Sequence, residues 1–326
     1  MSEFRKDIVS GDWIVMAPGR AGRPHSFKKN AKKRVSSPLR DCPFEHPDRT
    51  GNWPPIHAWP TKEDWKIILI PNKFPALRHE PVCPVEWREG VYDRMEGIGW
   101  HDLIVTRDHK KDFPNLSAPI AARVFAMFQA RYRDAVKDKC IRYVSAFGNW
   151  GASAGASLSH PHYQLLSLPI IPPHVNHALR GSERYFKKNK RCVHCDIIAY
   201  ERKRKKGLIA ENAEAVAFAP FASREPYAVQ IFPKKHREHF EDSSPAALRG
   251  VAALLQKVLG RVAKRLGDPD YNFFIHSAPL KDQGKFEHYH WHVEIAPKMA
   301  TSAGFELSTG VDINTVLPEI TAKYLK

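Results

Sequence analysis

The feature that most restricts the possible folds of this chain is an internal repeat. Residues 103–113 and 228–240 each form an apolar strand pattern ending in a histidine, His109 or His236, with a phenylalanine four positions further on. A proline-marked helix start, an amphipathic helix and a further strand pattern follow each segment. Each unit ends in a histidine pair, within SHPHYQ and YHWHVE. The chain is therefore expected to contain one strand–helix–strand module twice, offset by roughly 130 residues.

This repeat predicts the fold class. Its order of elements favours an α+β protein of two tandem modules, in each of which a mostly antiparallel sheet packs against a long helix. A proline-rich, polar stretch at 170–190 predicts the boundary, with an N-terminal module over 1–175 and a C-terminal module over 176–326. Residues 45–100 are extra material in the first module, expected to form ordered loops and short strands.

Composition limits the classes of protein to consider. The 326-residue chain is 43% hydrophobic, which predicts a globular core. It has no apolar run of about 18 residues, so no membrane-spanning helix is expected, and its charged N-terminus predicts a cytoplasmic protein. The net charge of +16 favours anionic partners such as nucleotides and sugar phosphates. Basic runs at 28–34, 187–191 and 202–206 make a polyanion-binding or nucleic-acid-binding module the alternative of another class.

The first histidine pair follows a glycine-rich loop, and this arrangement predicts catalysis. Residues two apart on a strand share a face, so His160, His162 and Gln164 project together. Backbone N–H groups of GNWGASAGAS (148–157) can approach a phosphate, and a neutral imidazole beside them can attack phosphorus and hold it covalently. Gln164 can donate to a phosphoryl oxygen during transfer. The second copy has Glu294 instead, which would repel a phosphate, so we expect the first copy to be catalytic with His162 as nucleophile.

The cysteines and the other histidines predict two metal sites. The second module offers a Cys-x-x-Cys pair and two histidines, the set that zinc takes in closed structural sites: Cys192, Cys195, His236 and His290. His239 and His292 are the alternative histidines. By the repeat, the first module offers a set in which a carboxylate replaces the second cysteine: Cys42, Glu45, His109 and His160. His46 is a substitute for Glu45.

These motifs together resemble those of the galactose-1-phosphate uridylyltransferases, a branch of the histidine-triad superfamily. The resemblance covers nearly the whole chain, in the segments RKDIVSGDWIVMAPGRAGRP (5–24), CPF (42–44), PNKFPAL (71–77), HDLIVTRDH (101–109), GNWGASAGASLSHPHYQ (148–164), PKKH (233–236), HYHWHVEIAPK (288–298) and GFELSTG (304–310). It implies two histidine-triad-like modules and a ping-pong reaction in which a nucleotide passes through a covalent bond to His162.

The resemblance also implies roles for single residues, with Gln164 steadying the phosphoryl oxygens. The implied substrate-binding residues are Arg20, Arg23, Asn149 and Ser157 at the phosphates, Asn72 and Phe74 at the nucleoside, and Phe305 and Glu306 at the hexose. The last two would reach the other subunit of a homodimer. Cys42, His109 and His160 match ligands of the first metal site, and the Cys-x-x-Cys pair matches the second site of plant-like relatives. Tyr163 is bulkier than the residue usual between the histidine and the glutamine, and is expected to reshape the nucleotide end.

The implied activity is transfer of UMP between UDP-glucose and a hexose-1-phosphate such as galactose-1-phosphate, with zinc as the bound metal. Plant-like relatives with the Cys-x-x-Cys site include enzymes that phosphorolyse ADP-glucose. A phosphorylase of ADP-glucose or of a dinucleoside polyphosphate is therefore the alternative. A sugar nucleotide and a hexose-1-phosphate are the expected partners, and nucleic acid is not.

Overall fold

The computed structural model describes residues 1–22, 38–51, 53–280 and 285–326. Its strands are, in chain order, β1 (Glu3–Lys6), β2 (Trp13–Met16), β3 (His57–Trp59), β4 (Ile67–Pro71), β5 (Glu86–Glu89), β6 (Tyr92–Met95), β7 (Trp100–Thr106), β8 (Tyr143–Trp150), β9 (His162–Leu168), β10 (Leu208–Glu211), β11 (Ala215–Phe218), β12 (Val229–Pro233), β13 (Tyr271–His276), β14 (His292–Pro297) and β15 (Ile313–Asn314). Its α-helices are α1 (Ala118–Val136), α2 (Pro173–Asn189), α3 (Val193–Arg204), α4 (Pro245–Leu266), α5 (Gly304–Thr309) and α6 (Pro318–Leu325).

A single ten-stranded antiparallel sheet runs through both halves of the chain. Its strand order is β10-β11-β12-β14-β13-β8-β9-β7-β4-β3. The first half supplies one side of the sheet and the second half the other, and the two sides meet where β8 pairs with β13. The two modules therefore share one backbone hydrogen-bond network.

The long helices α1 and α4 lie against each other on one face of this sheet. Each starts after a serine and has a proline in its first turn, which is favourable because the first helical N–H groups have no partner within the helix. The Ser244 hydroxyl accepts from the Ala247 N–H and so supplies one of these partners to α4. The main hydrophobic core lies between the helices and the sheet, with Phe128, Leu255 and Trp291 buried in it.

The opposite face of the sheet carries a smaller core in the first half of the chain. Strand alternation sends Ile104 towards the helices, whereas Leu103 and Val105 face the other way and pack with Phe44 and Trp65. Strand β9 is the neighbour of β7 in the sheet, and His162 of β9 lies opposite Val105. The histidine pair of the first module therefore lies against this smaller core, where both rings contact Phe44.

The N-terminal strands pack with the C-terminal half. Strands β1 and β2 form a separate sheet with β15. The buried Arg5 guanidinium donates to the Phe221 carbonyl (3.2 Å) and to the Glu319 carboxylate (3.0 Å). The division of the chain between residues 175 and 176 stays a prediction. Strand β2, within the first 16 residues, pairs with β15 of the predicted C-terminal module.

A disulfide fastens the long connection between β4 and β7. It joins Cys83 in this connection to Cys140, in the turn after α1. No role was predicted for either cysteine from the sequence, because the two are 57 residues apart in regions without a shared motif. The same connection begins with Asn72 and Phe74, so the disulfide ties the predicted nucleoside segment to the end of a core helix.

The repeat predicted from the sequence is confirmed as α+β architecture. β7, α1, β8 and β9 correspond in order to β12, α4, β13 and β14. The sequence predicted one sheet for each module. In the structure the two sheets are joined edge to edge into one, through the pairing of β8 with β13. Within the part of the chain that the structure describes, none of the helices combines the length and the apolar character needed to cross a membrane.

Candidate active site

The loop between β8 and β9 can follow its path only because it contains glycine. Gly151 has a φ of +85° and Gly155 a φ of +87°, values that favour glycine. A Cβ on Gly151 would also collide with the carboxylate of Asp270. The chain thus makes a tight turn directly before the histidine pair, with its backbone close to the strands that support it.

Side chains from the second module hold this loop in place. The Asp270 carboxylate accepts from the Ser153 N–H (2.9 Å) and from the Ser153 hydroxyl (2.7 Å). The Asn272 amide donates to Asn149 Oδ1 and to the Ala154 carbonyl, both at 2.8 Å. The sequence did not predict these supports, because Asn272 lies on β13 and Asp270 directly precedes it, and both act across the fused edge of the two half-sheets.

The His162 ring is held in one orientation by its neighbours. Its Nδ1–H donates to the His160 carbonyl (2.9 Å), so in the neutral ring the lone pair lies on Nε2. Burial lowers the pKa of His162, while the bond to the His160 carbonyl opposes this in part. The ring is only 8% exposed and packs on Phe44, with centroids 5.3 Å apart. The imidazole is therefore unprotonated, fixed in orientation and ready to form a bond through Nε2.

Gln164 lies on the same face of β9 as His162, as expected from strand alternation. Its Oε1 atom is 3.0 Å from Nε2 of His101, on the neighbouring strand β7. Tyr163 points the other way, into the main core, where its ring contacts Phe113 and Phe273. The expectation that Tyr163 reshapes the nucleotide end is therefore wrong. Tyr163 lies between His162 and Gln164 on the strand, so its side chain points to the opposite face of the sheet, towards the helices.

The four residues of the first predicted metal set come together. The distances are 3.4 Å from Cys42 Sγ to His160 Nδ1, 3.1 Å between the Nδ1 atoms of His109 and His160, and 3.0 Å from Glu45 Oε1 to His109 Nδ1. The His160 Nε2–H donates to the Thr106 carbonyl (2.7 Å), which leaves Nδ1 as the ligand atom. Burial lowers the pKa of His160 to about 4, so this ring is neutral as a metal ligand must be.

The spacing of this set fits zinc. Four bonds of about 2.0 to 2.3 Å in a tetrahedron place neighbouring ligand atoms about 3.3 to 3.8 Å apart. The observed separations, from 3.0 Å between Glu45 and His109 to 3.5 Å between Glu45 and His160, lie near this range. Glu45 thus lies among the ligand atoms at the position that the repeat predicted for it, and the alternative, His46, is not in this group.

The second predicted set forms a tight group of three with a fourth member slightly further away. Cys192, Cys195 and His236 place their ligand atoms within 4.8 Å of one another. Cys195 Sγ lies 3.2 Å from His236 Nδ1 and 3.8 Å from His290 Nδ1. A hydrogen bond from Cys195, together with His236, lowers the pKa of the Cys192 thiol to about 5 and so favours the thiolate that zinc binds.

The second module keeps the histidine geometry but not the chemistry. The His292 Nδ1–H donates to the His290 carbonyl (3.1 Å), just as His162 does in the first module. A third group of possible metal ligands meets here, because His276 and Glu294 lie beside His292. Burial acts to raise the pKa of Glu294, but His276, Gln230 and His292 together lower this pKa to about 2, so the carboxylate is charged. This charge disfavours a phosphate at the second copy.

The other predicted substrate residues line different parts of the surface. Phe74 is 81% exposed at the start of the β4–β7 connection, and Ser157 is exposed in the loop before the histidine pair. Phe305 is 47% exposed on α5, and the Glu306 carboxylate accepts from the Ala303 N–H. Arg20 is exposed in the short 3-10 helix Pro18–Gly22, and Arg23 lies outside the described residues.

Two of the three basic runs end helices. Residues 187–191 end α2 and residues 202–206 end α3, where positive charge interacts favourably with the helix dipole. Several members are paired on the surface, such as Lys187 with Glu183 (2.6 Å) and Arg202 with Glu211 (3.1 Å). The run at 28–34 lies outside the described residues. The positions of the two described runs at helix ends, together with these ion pairs, give them a structural role.

The fold is that of two tandem histidine-triad-like modules, and a glycine-rich loop precedes the histidine pair of the first module. The family model described as the N-terminal domain of galactose-1-phosphate uridyl transferase matches residues 1–172, and a domain of unknown function, DUF4921, matches residues 97–325. The chain belongs to the galactose-1-phosphate uridylyltransferase family of nucleotidyltransferases, which act on sugar nucleotides and sugar phosphates.

Two curated relatives match essentially the full chain. An ADP-glucose phosphorylase from Arabidopsis thaliana is 33% identical over 99% of this chain and 92% of its own length. A galactose-1-phosphate uridylyltransferase from Thermotoga maritima is 25% identical over 100% of this chain and 98% of its own. Among solved structures, the Arabidopsis ADP-glucose phosphorylase with bound ADP-glucose has a TM-score of 0.84 at 31% identity, covering 100% of this chain and 98% of that one. A uridylyltransferase structure has a TM-score of 0.76 at 28% identity, covering 100% and 97%.

Proposed function

We propose that this chain transfers a nucleotidyl group from a nucleoside diphosphate hexose to a phosphate acceptor through a covalent bond to His162. The observation that carries this proposal is the state of His162, which is neutral and has Nδ1 committed to the His160 carbonyl. That commitment leaves Nε2 as the reactive atom. The glycine loop and Gln164 lie next to it as donors for phosphate oxygens.

The reaction has two displacements. Nε2 of His162 attacks the α-phosphorus, the bond from this phosphorus to the bridging oxygen breaks, and hexose-1-phosphate leaves. An oxygen of the acceptor phosphate then attacks the same phosphorus, and the N–P bond breaks to restore the neutral imidazole. Gln164 has its oxygen directed at His101, so its NH2 group is the part that can donate to a phosphoryl oxygen as charge shifts.

Zinc is the metal that the ligand sets fit. In the first module Cys42, Glu45, His109 and His160 would hold it, and in the second Cys192, Cys195, His236 and His290. When bound at the first site, zinc supplies a fixed position for the His160 ring. The His160 carbonyl is the acceptor for His162 Nδ1–H, so ordering His160 also orders the nucleophile.

For the substrates, we propose ADP-glucose as donor and inorganic phosphate as acceptor. The full-length similarity to an ADP-glucose phosphorylase supports this choice. So does the second-module set Cys192, Cys195 and His236, which resembles the Cys-x-x-Cys site of plant-like phosphorylases. The second candidate is UMP transfer from UDP-glucose to galactose-1-phosphate, which the family model over residues 1–172 and the Thermotoga relative favour.

The remaining predicted contacts complete the proposal. Asn72 and Phe74 would bind the nucleoside, Asn149 and Ser157 the phosphates with Arg20 and Arg23, and Phe305 and Glu306 the hexose. In a homodimer, as the family resemblance implies, the exposed Phe305 would reach the site of the other subunit.

Steady-state turnover with matched substrate pairs tests the choice. The purified protein is given ADP-glucose with phosphate, and separately UDP-glucose with galactose-1-phosphate, and the products are separated by anion-exchange chromatography. We expect glucose-1-phosphate and ADP to form with the higher kcat/KM. Faster turnover of the second pair would reverse the assignment, and turnover of neither pair would refute both. Polyanion binding that is salt-sensitive and unchanged in His162→Ala would instead favour the binding-module class.

A further inference from the structure

His101 connects two parts of the site that the sequence treats separately. Its Nε2 atom lies 3.0 Å from Gln164 Oε1 and 3.1 Å from Asn72 Nδ2. Its Nδ1 atom accepts from the Ala76 N–H at 3.1 Å. One imidazole therefore contacts the glutamine beside the nucleophile and both ends of the segment 72–76.

Hydrogen-bond chemistry fixes which nitrogen of His101 carries the proton. A backbone N–H is always a donor, so the contact with Ala76 requires Nδ1 to be the acceptor, and a neutral ring then has its hydrogen on Nε2. This Nε2–H donates to Gln164 Oε1. The Gln164 NH2 group therefore points away from His101. The Asn72 amide is oriented by the Phe74 N–H, which donates to Asn72 Oδ1. Asn72 Nδ2 then lies 3.1 Å from a nitrogen that is itself a donor, so His101 gives the Asn72 NH2 group no acceptor.

The strand that carries His101 is held rigidly from its other face. The neighbouring Asp102 is buried and accepts from Arg131 of α1 at 2.7 Å. The Arg131 guanidinium lies over the Trp100 ring at 3.7 Å. In the sheet, Leu103 of β7 is opposite Gln164 of β9. His101, two positions before Leu103, is therefore the diagonal neighbour of Gln164 on the same face. The reach from His101 to Gln164 is thus built into the strand register.

We propose that His101 is a positioning residue that sets the orientation of Gln164 and couples it to the nucleoside segment 72–76. This inference rests on the proposed function. When the segment is ordered by a nucleoside, Ala76 holds the His101 tautomer that turns the Gln164 NH2 group to the phosphorus. When the segment is displaced, that tautomer loses its support. Recognition at the nucleoside end therefore affects the rate of nucleotidyl transfer, and not only the affinity for the donor.

Two substitutions separate the two contacts. Asparagine places its oxygen near the position of Nδ1, so His101→Asn keeps the acceptor for Ala76 and loses the donor to Gln164. Glutamine places its nitrogen near the position of Nε2, so His101→Gln keeps the donor and loses the acceptor. Each variant is thus the matched control for the other. Thermal unfolding of both, compared with the wild-type protein, reports whether the sheet is intact.

The measurement is single-turnover formation of the nucleotidyl-enzyme as a function of ADP-glucose or UDP-glucose concentration. For His101→Asn we expect the rate at saturating donor to fall about fivefold to tenfold, the value of one hydrogen bond of about 1 to 1.4 kcal/mol, with the half-saturating concentration nearly unchanged. For His101→Gln we expect the rate to stay near that of the wild-type protein and the half-saturating concentration to rise about threefold to tenfold. In a Gln164→Ala background, His101→Asn should slow the reaction less than about twofold further, because its effect passes through Gln164.

Three results would overturn the inference. The first is a wild-type rate in His101→Asn, and the second is an equal loss of rate in both His101 variants. The third is that His101→Asn slows the Gln164→Ala protein by the same factor as it slows the wild-type protein. Failure of the proposed function has a different signature. In that case the wild-type protein itself forms no nucleotidyl-enzyme with either donor, and the role of His101 falls with it.

Discussion

Asn272 is the residue through which the second module should most directly affect catalysis. It lies on β13 opposite Asn149, and its amide donates to Asn149 Oδ1 and to the Ala154 carbonyl at 2.8 Å each. Both acceptors belong to the glycine-rich loop or to its root. Asn272→Ala therefore removes two hydrogen bonds that hold the loop, with no change to a residue that we propose to contact the substrate.

The size of the effect follows from these two bonds. Each partly buried neutral hydrogen bond contributes about 1 kcal/mol net, so the ordered loop loses about 2 kcal/mol. If this cost falls wholly on the transition state, the rate of nucleotidylation drops by about thirtyfold, since about 1.4 kcal/mol corresponds to tenfold. The assay is rapid-quench formation of the nucleotidyl-enzyme, together with urea unfolding of the same samples.

Asn314 provides a matched control in the same half of the chain. Asn314 lies on strand β15, in the sheet that β15 forms with β1 and β2. Its Nδ2 group also donates two hydrogen bonds, to the Ser223 carbonyl (2.9 Å) and the Glu225 carbonyl (3.1 Å), and its Oδ1 accepts a third from the Val316 N–H (2.8 Å). Asn314→Ala removes three hydrogen bonds from a buried site, so it should cost at least as much stability as Asn272→Ala and still leave nucleotidylation within about twofold. The reasoning is refuted if Asn272→Ala reacts at the wild-type rate, or if Asn314→Ala slows the reaction equally.

Three further perturbations test other parts of the structure. Cys83→Ser opens the disulfide to Cys140, which closes 57 residues of chain, so the free energy of unfolding in urea should fall by about 4 kcal/mol; equal stability would show that the bond does not restrain the unfolded chain. Asp102→Asn removes the negative charge that pairs with the buried Arg131, so the free energy of unfolding should fall by about 3 to 5 kcal/mol. Most of this loss should be recovered in Asp102→Asn/Arg131→Met, and no recovery in the double variant would contradict this. Cys192→Ser should lower the zinc content by about one ion per chain and the melting temperature, measured by atomic emission and calorimetry, and an unchanged zinc content would refute the second site.

The sequence predicted what depends on local patterns. Histidines two apart on a strand had to share a face, and a glutamine two positions later had to join them, so His162 and Gln164 were found from strand periodicity. The repeat predicted which cysteines and histidines would meet, and the structure brings Cys42, Glu45, His109 and His160 together. The shared face of His162 and Gln164 follows from the backbone of one strand, and the meeting of the four ligand residues follows from the repeat, which places equivalent residues at equivalent points of the fold. The catalytic roles of His162 and Gln164 stay predictions.

What the sequence missed depends on contacts between distant strands. The support of the loop by Asp270 and Asn272 arises only because β8 pairs with β13, and an edge pairing between two modules leaves no periodic signal. His101 stood within a recognised motif, but its contact with Gln164 follows from the β7–β9 register. Tyr163 was misjudged because its size was considered without its direction, although strand alternation already assigned it to the core.

The measurement that tests the central claim most directly is the intact mass of the protein after incubation with ADP-glucose or UDP-glucose in the absence of an acceptor. Three proteins are compared: the wild type, His162→Ala, and His292→Ala, which changes the repeat counterpart of the nucleophile. The account predicts one added nucleotidyl group on the wild type and on His292→Ala, none on His162→Ala, and its loss on addition of phosphate or galactose-1-phosphate. An adduct that persists in His162→Ala, or turnover without any adduct on the wild type, would contradict it.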